Sequence, residues 1–235
     1  MQRIKITTYV LVILFFTSCT VSSVSVKVQR PADITIPMHI KNVVLANRSL
    51  PTKENRAENI LEGLISGEGI GADRKGSEYC IMGLTKILTS NDRFSLSNSA
   101  GLYLKGTGTS LFAIPLEWNK VNEICNTYDA DALIVLETFD SDSRIYEGKS
   151  RKRYKKVDGI KVAYLEYPAI LSMEIESGWR IYDVKNNKLI DENKFIDIKE
   201  FKNWGSSPED ARMHLPSNIS SLKTAGFFEI GRAHV

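Results

Sequence analysis

Chemically reactive side chains are scarce in this 235-residue chain. Its three histidines and three cysteines never stand in a His-x-x-x-His or Cys-x-x-Cys spacing that would hold a metal ion. No Gly-x-Ser-x-Gly nucleophile motif occurs. Gly67–Gly71 lacks the Lys-Ser/Thr pair of a phosphate-binding loop, so it is interpreted as a turn between helices. We therefore predict no catalytic residue, no metal site and no cofactor, with His39 and His214 as the only histidines that enter the argument.

A large excess of charge is also lacking. The chain has 31 Lys and Arg residues against 28 Asp and Glu residues, a formal net charge of +3. Removal of an N-terminal segment carrying Arg3 and Lys5 lowers this charge to +1. A nearly neutral chain does not favour nucleic acid as a partner. Its length is enough for one large or two small domains with a real core.

No apolar run reaches the roughly 20 residues that a membrane-spanning helix needs. The longest, Val10–Phe16, follows the basic residues Arg3 and Lys5 and leads through small polar residues to Cys19. This arrangement is typical of a signal peptide. An ordinary secretory signal that ends near a cysteine is the alternative to a lipoprotein signal.

The sequence Phe16-Thr17-Ser18-Cys19 resembles the lipobox of bacterial lipoproteins, with Phe16 where the family usually has Leu. The resemblance implies that residues 1–18 are removed, that Cys19 carries acyl chains such as palmitate, and that residues 19–23 form a tether. Two or three acyl chains anchor a protein stably in a membrane. In related envelope lipoproteins, acidic residues just after the cysteine favour export to the cell surface. Residues 20–26 carry no charge, so the resemblance implies a periplasm-facing location in the cell envelope.

Cys80 and Cys125 are the other two cysteines. Both fall on the apolar sides of predicted helices. Buried thiols are the favoured interpretation, and a disulfide in an oxidising periplasm is the alternative.

The first half of the chain alternates strand and helix patterns. Period-two and apolar runs predict strands, and apolar residues at helical spacing predict helices. Pro115 is expected in the first turn of its helix, and the unbroken apolar run Ala132–Leu136 predicts a strand buried on both faces. The predicted elements are strands at 24–28, 34–36, 40–46 and 94–96, helices at 53–65, 73–88 and about 115–128, and a loop at 97–111.

The second half predicts an antiparallel meander. Strands are expected at 159–166, 169–176, 179–184 and 189–198, with a turn at 185–188, and Trp179 and Tyr182 are expected in the core. Ser207 and Pro208 begin a helix as its cap and first residue. We therefore predict an α+β fold with a mixed sheet: an anticodon-binding-like α/β half, then a meander within residues 24–204, then C-terminal helices from residue 205 to 229.

The last six residues, Ile230–Val235, resemble one reading frame of a common sequencing adapter. The resemblance implies that residues 230–235 are an artefact, that the natural sequence is cut near Glu229, and that the helical region is truncated.

A concentrated basic segment lies between the predicted α/β half and the predicted meander. Residues 149–156 contain six basic residues in eight. Such a segment can contact anionic lipid headgroups, although a solvated loop between strands is the simpler interpretation. The candidate lipid-surface patch consists of Lys149, Arg151, Lys152, Arg153, Lys155 and Lys156.

Two resemblances extend this interpretation. The order of elements and the hairpin Arg180–Ile190 are similar to periplasmic lipoproteins of the curli-secretion type and to the N-terminal domain of the Tol-system propeller protein. Arg30–Ile34, Asn47-Arg48, Leu61–Gly69 and Gly178–Asp183 resemble an uncharacterised lipoprotein family of Bacteroidota, a domain of unknown function, over most of residues 24–229. This second resemblance implies an envelope location and no particular activity.

Three functional hypotheses follow. The first is a non-enzymatic binding or assembly module, tethered to the membrane through Cys19 and working with an unidentified envelope protein. The second is a subunit of an oligomeric secretion complex, which calls for a long alternating hairpin; none is predicted between the sheet elements, and residues 97–111 are too short and glycine-rich. The third is an envelope hydrolase with distant carboxylates, or with a cleft around His39 or His214.

Overall fold

The computed structural model describes residues 35–50, 72–97, 102–106 and 111–233, with side-chain environments up to Phe227. These residues belong to a single unit, Ala32–Val235. The signal segment, Cys19, the strand predicted at 24–28, the helix predicted at 53–65 and the turn Gly67–Gly71 lie outside the described residues.

Seven strands and four helices form the described part of the chain. In chain order, two helices alternate with short strands before a run of long strands. The elements are β1 (Asn42–Asn47), α1 (Ala72–Thr89), β2 (Ser95–Leu96), β3 (Leu102–Tyr103), α2 (Trp118–Tyr128), β4 (Ala132–Glu147), β5 (Arg151–Val157), β6 (Ile160–Asp183), β7 (Lys188–Gly205), α3 (Pro208–Met213) and α4 (Asn218–Ala233).

The strands form one mixed sheet. β2 and β3 pair one after the other with the same edge of β1, and β1 runs parallel to β4. β4 is antiparallel to β6, which is antiparallel to β7 on its other edge. The predicted α+β class, with an α/β half, a meander and C-terminal helices, is confirmed.

The central strands divide the core into two layers because successive side chains on a strand point to opposite faces. Val43 and Leu45 pack with α1 and α4 on one face. Val44 and Ala46 pack with α2 on the other. The run Ala132–Phe139 in β4 is buried throughout, as expected for a strand covered on both faces.

The starts of α3 and α2 were both predicted from local sequence, with different outcomes. Ser207 caps α3 by accepting a hydrogen bond from the backbone N–H of Asp210, with Pro208 as the first helical residue, as predicted. The prediction that Pro115 lies in the first turn of α2 is wrong, because the helix begins at Trp118 after an extended Glu117. Segment 112–116 is instead held to the sheet by hydrogen bonds described below.

The meander contains a hairpin much longer than predicted. β6 is one strand of 24 residues rather than three pieces, and spans roughly 80 Å at 3.3 Å per residue. β4 and β5 pair in succession with its same edge. Asp158 and Gly159 form the turn, and both have positive φ as a two-residue hairpin loop requires. The expectation that no long hairpin exists is therefore wrong.

Two segments predicted as loops contain paired strands among their described residues. The basic segment enters β5 from Arg151 onward. In the glycine-rich segment 97–111, Leu102–Tyr103 extends the edge of β1. Gly106 donates its backbone N–H to Leu50 O at 3.1 Å. A Cβ at Gly106 would lie 1.4 Å from the carbonyl oxygen of Arg48, so only glycine permits this approach.

Candidate functional site: a buried row of charges

Four alternating charges cross the sheet at the carboxyl end of β1, just past the last residue of β4 that pairs with it. This is the edge where open α/β sheets commonly bind ligands. Arg48 follows β1, Glu137 lies in β4, Arg180 in β6 and Glu192 in β7. We call these four residues the charge row. They lie on the α2 face of the sheet, the same face as Val135 and Tyr182.

Glu137 is the centre of the charge row. The β4–β6 register shifts between Leu136 and Thr138, so Glu137 is the extra residue of a bulge. Its side chain is fully buried. Arg48 Nη1 donates to its Oε2 at 3.0 Å. Arg180 Nη1 lies 3.2 Å from its Oε1.

Arg180 is held from three sides. Its Nε donates to Glu192 Oε2 at 2.6 Å, directly across the β6–β7 ladder. Its Nη1 donates to the carbonyl oxygen of Ala113 at 2.7 Å. The ring of Phe112 covers the guanidinium with its centroid 4.8 Å from Cζ, a favourable cation–π distance.

Residues Phe112–Leu116 form a cover segment over the charge row. Arg48 Nη1 donates to the carbonyl oxygen of Ile114 at 2.9 Å. The backbone N–H of Leu116 donates to the hydroxyl of Tyr182 at 3.0 Å. With the Ala113 contact, these bonds satisfy backbone groups of a segment that has no helix or strand of its own. The charge row thereby positions the chain that leads into α2.

Burial and the two guanidinium groups act in opposite directions on Glu137. Burial raises the pKa of the Glu137 carboxyl above its ordinary value, and the positive charges of Arg48 and Arg180 oppose that rise. Burial also raises the pKa of the Tyr182 phenol, so this hydroxyl stays protonated near neutral pH. A buried carboxylate with two cationic partners is a paired structural charge that would cost several kcal/mol if one partner were removed.

An open cleft of about 510 Å³ lies beside the charge row. Its lining comprises Arg48, residues 114–117 and the first two turns of α2. The ion pair between Lys120 and Glu123, 2.8 Å long, belongs to this lining. In the described part of the chain, the lining contains no histidine, cysteine or serine. The cleft offers polar contacts to a ligand, and the Arg48 guanidinium is already engaged by Glu137.

The two histidines lie away from this cleft and from each other. His39 Nε2 is 3.0 Å from Asp183 Oδ1, and Asn186 Nδ2 donates to Asp183 Oδ2 at 2.7 Å. Although burial opposes the change, these hydrogen bonds hold the pKa of Asp183 below its ordinary value. His214 follows α3, where its Nδ1 contacts the carbonyl oxygen of Asp210. Among the described residues, no group of three metal-ligating side chains occurs.

The candidate lipid-surface patch becomes part of a two-stranded ribbon. We define the ribbon as Arg151–Glu166, which comprises β5, the turn and the first part of β6. Lys149 lies outside it, in the break between β4 and β5. Pairing of β7 with β6 begins only at Tyr167, so among the described residues neither outer edge of the ribbon has a strand beside it.

Cys80 and Cys125 are both buried and form no disulfide with each other, which confirms the favoured interpretation. Cys80 packs on the α1 face and Cys125 on the α2 face, so the sheet separates them. Burial, followed by the charge of Asp131, raises the pKa of the Cys125 thiol to about 12. Trp179 and Tyr182 are core residues, as expected.

Sequence reasoning did not identify the charge row. One signal was present: Glu137 directly follows the apolar run that predicts a buried strand. Arg48 and Arg180 stood in the quoted family segments without a role. Their separation along the sequence concealed their contact with Glu137.

Comparison with known proteins identifies the family of this chain. A family described as a domain of unknown function, DUF8603, matches residues 40–232. The chain belongs to this family. The match covers all the described strands and helices. The family description assigns no activity to the domain.

Similarity to other proteins adds no function. No curated protein matches this DUF8603 chain. Among solved structures, one described as a neuraminyllactose-binding hemagglutinin homolog from Helicobacter pylori aligns at a TM-score of 0.31 and 9% identity, covering 87% of this chain and 86% of that one. A likeness at this level carries no argument. Among the described residues, no helix is both long enough and apolar enough to cross a membrane.

Proposed function

We propose that this DUF8603 protein is a periplasm-facing lipoprotein, anchored in the envelope membrane through Cys19, that works as a non-enzymatic binding or assembly module. The signal-like N-terminus and the resemblance to Bacteroidota lipoproteins support the anchor. The charge row supports a non-enzymatic role, because its charged side chains are engaged with one another and with the cover segment. Arg48, which lines the cleft, is already paired with Glu137.

One observation carries the binding role: β7, a strand of 18 residues, presents two large apolar side chains to solvent. Ile196 and Ile198 are 61% and 54% exposed on the face away from α1 and α4. Neighbouring exposed apolar side chains mark surfaces that bind other proteins, so we assign the partner-binding surface to this face of β7.

Two experiments in cells test the proposal. Metabolic labelling with an alkyne-tagged palmitate should label the wild-type protein and not Cys19→Ser. A photocrosslinking residue in place of Ile198 should yield a discrete adduct, whereas the same residue at exposed Lys75 on α1 should not. The anchor is refuted by unchanged labelling of Cys19→Ser. The binding surface is refuted by equal adducts, or none, at the two positions.

The long hairpin favours a second candidate, a subunit of an oligomeric envelope secretion complex. Residues 132–183 supply the extended antiparallel element that this hypothesis calls for. The native mass of the membrane-extracted protein in mild detergent, after light crosslinking, separates the two candidates. A ring-sized homo-oligomer, with Ile198 adducts made of this chain alone, favours the secretion complex. A monomer or a one-to-one species with another protein favours the tethered adaptor.

A further inference from the structure

The far end of the ribbon has an apolar tip. Val157 pairs with Ile160 next to the turn, and Val162 follows on the same face because it is two residues further along β6. Ile160 is 69% exposed, and Val157 and Val162 are also exposed. β-Branched side chains are normally used in strands to build a core, yet these three pack against no other layer of the described structure.

Unpaired positive charge lies directly behind the tip. Lys156 and Lys161 are opposite each other on one face, and Lys155 lies on the other face beside Val162. These three residues, with Lys152, form no ion pair among the described residues. At the base of the ribbon, by contrast, Glu166 binds both of the ribbon's arginines, Arg151 at 2.9 Å and Arg153 at 3.4 Å.

Aromatic side chains separate the lysines along the ribbon. Lys161 Nζ lies 4.5 Å from the ring centroid of Tyr154. Lys155 Nζ lies 5.7 Å from that of Tyr164. Tyrosine places an apolar ring and a polar hydroxyl together, which suits the boundary between headgroups and acyl chains. From the turn towards the body, the order is therefore apolar, cationic and aromatic.

We propose that the ribbon tip is a membrane-docking element that inserts Val157, Ile160 and Val162 at the surface of a bilayer and binds anionic phospholipid headgroups through Lys155, Lys156 and Lys161. Charge complementarity selects the anionic surface. The apolar side chains lie at the far end of the ribbon rather than along its edges, and this position favours a bilayer over an acidic protein. A protein adding a strand would instead use the edges.

Asp158 is the one acidic residue at the tip, and it opposes this docking. Its positive φ of 49° explains its presence, because Asn, Asp and Gly are the residues that occupy such a turn position. Asp158→Asn therefore keeps the turn and removes the opposing charge. The inference supplements the proposed function with a second membrane contact that does not depend on the lipid at Cys19.

Vesicle binding by the purified full chain carrying Cys19→Ser tests the inference. This background removes acylation, so differences between ribbon variants report the protein surface alone. Vesicles contain phosphatidylcholine with or without phosphatidylglycerol. Lys156→Gln with Lys161→Gln should lower the affinity for phosphatidylglycerol vesicles roughly tenfold or more. This change also removes two like charges that face each other, so the ribbon itself should not be weakened.

The matched control neutralises two lysines at the opposite end of β6, Lys185→Gln with Lys188→Gln, and should change the affinity less than about twofold. Asp158→Asn should strengthen binding, and Ile160→Ser with Val162→Thr should weaken it. An unchanged circular dichroism spectrum and melting temperature show that each variant folds. Equal effects of the two lysine pairs would overturn the inference, as would equal binding of wild type to both vesicle types.

A fluorescent reporter tests insertion separately. An environment-sensitive dye on Ile160→Cys, in the same Cys19→Ser background, labels the tip selectively because Cys80 and Cys125 are buried. Phosphatidylglycerol vesicles should shift its emission to the blue, with quenching by lipid-attached quenchers. A shift with polyglutamate and none with vesicles would assign the tip to an acidic protein and refute lipid docking. Palmitate labelling and the Ile198 adducts are independent of this result, so either proposal can fail alone.

Discussion

Removing the central charge of the charge row should destabilise the protein strongly. Glu137→Gln preserves the size of the side chain but leaves Arg48 and Arg180 without their shared carboxylate. The side chain of Arg180 is only 3% exposed and that of Arg48 14%. Arg48 then loses its carboxylate partner, whereas Arg180 keeps the partly exposed Glu192, and breaking a buried ion pair by removing one partner costs about 3–5 kcal/mol. For a domain of this size, that loss corresponds to a decrease in melting temperature of roughly 6–20 °C.

Urea unfolding is the appropriate assay, because guanidinium chloride would screen the charges under study. Trp179 reports the transition from inside the core, since it lies next to Arg180 on β6 and is buried. Glu192→Gln is the control: its side chain is 42% exposed, so this change should cost less than about 1 kcal/mol.

An all-apolar replacement separates two quantities: the penalty of leaving a buried charge unpaired, and the net contribution of the ion pairs to the free energy of unfolding. Arg48→Met, Glu137→Leu and Arg180→Met together remove the three buried charges, which often leaves stability unchanged or improved. We expect this triple variant to be more stable than Glu137→Gln alone. The reasoning is refuted if Glu137→Gln stays within about 1 kcal/mol of wild type, or if the triple variant is the less stable of the two.

Three further predictions concern other parts of the core. The pKa of Asp183 is lower in the folded chain than in the unfolded one, so its carboxylate stabilises the fold at neutral pH, and this contribution is lost as the pH falls through the folded-state pKa. The difference in unfolding free energy between wild type and Asp183→Asn should therefore be largest near pH 7 and shrink below about pH 4 in urea titrations; a difference that grows towards acid would contradict the argument. Cys125, with its pKa raised to about 12, should react with a maleimide only after denaturant is added, and labelling of the native protein at pH 8 would disprove its burial. Gly106→Ala should lower the unfolding free energy by about 1–3 kcal/mol, because the new methyl group clashes with a backbone carbonyl, and an unchanged urea midpoint would show that the segment relaxes freely.

Local patterns predicted the α/β half well. α1 and α2 carry apolar residues at helical spacing, and both end within a residue or two of their predicted limits. The unbroken apolar run that begins at Ala132 is stable only when both of its faces are buried, so it was predicted correctly as a central strand. Ser207 and Pro208 act through backbone chemistry within one turn, so three residues of sequence are enough to predict the cap.

The ribbon was missed because strand patterns are recognised from buried faces. β5 has charged residues on both faces, so no alternation of apolar and polar residues marks it. The predicted strands also left a break in β6 between residues 166 and 169, where Pro168 lies. In the structure its carbonyl oxygen accepts a hydrogen bond from Gly148, in the gap between β4 and β5. The missing N–H of Pro168 faces the same gap, where no ladder bond is lost.

The charge row could not be predicted because its members meet only after the sheet has formed. Arg48 and Glu137 are 89 residues apart, and Arg180 reaches Glu137 from a third strand. A single sequence shows a charged residue after an apolar run, and it does not show which distant cation neutralises it. The bulge at Glu137, which turns this side chain towards Arg48 and Arg180, depends on the β4–β6 register.

The length of the hairpin sets an order of folding. β4, β5, β6 and β7 pair with neighbours that follow closely in the chain, whereas β1 joins β4 across roughly 90 residues, an entropically slower closure. We therefore expect the meander to form first and β1 to dock onto it afterwards. Pulse-labelled hydrogen exchange should then protect the amides of Ile175 and Ile181 before those of Val44 and Leu45. In this order of folding the charge row is completed last, because Arg48 reaches Glu137 only when β1 joins the sheet that the other long strands have already formed.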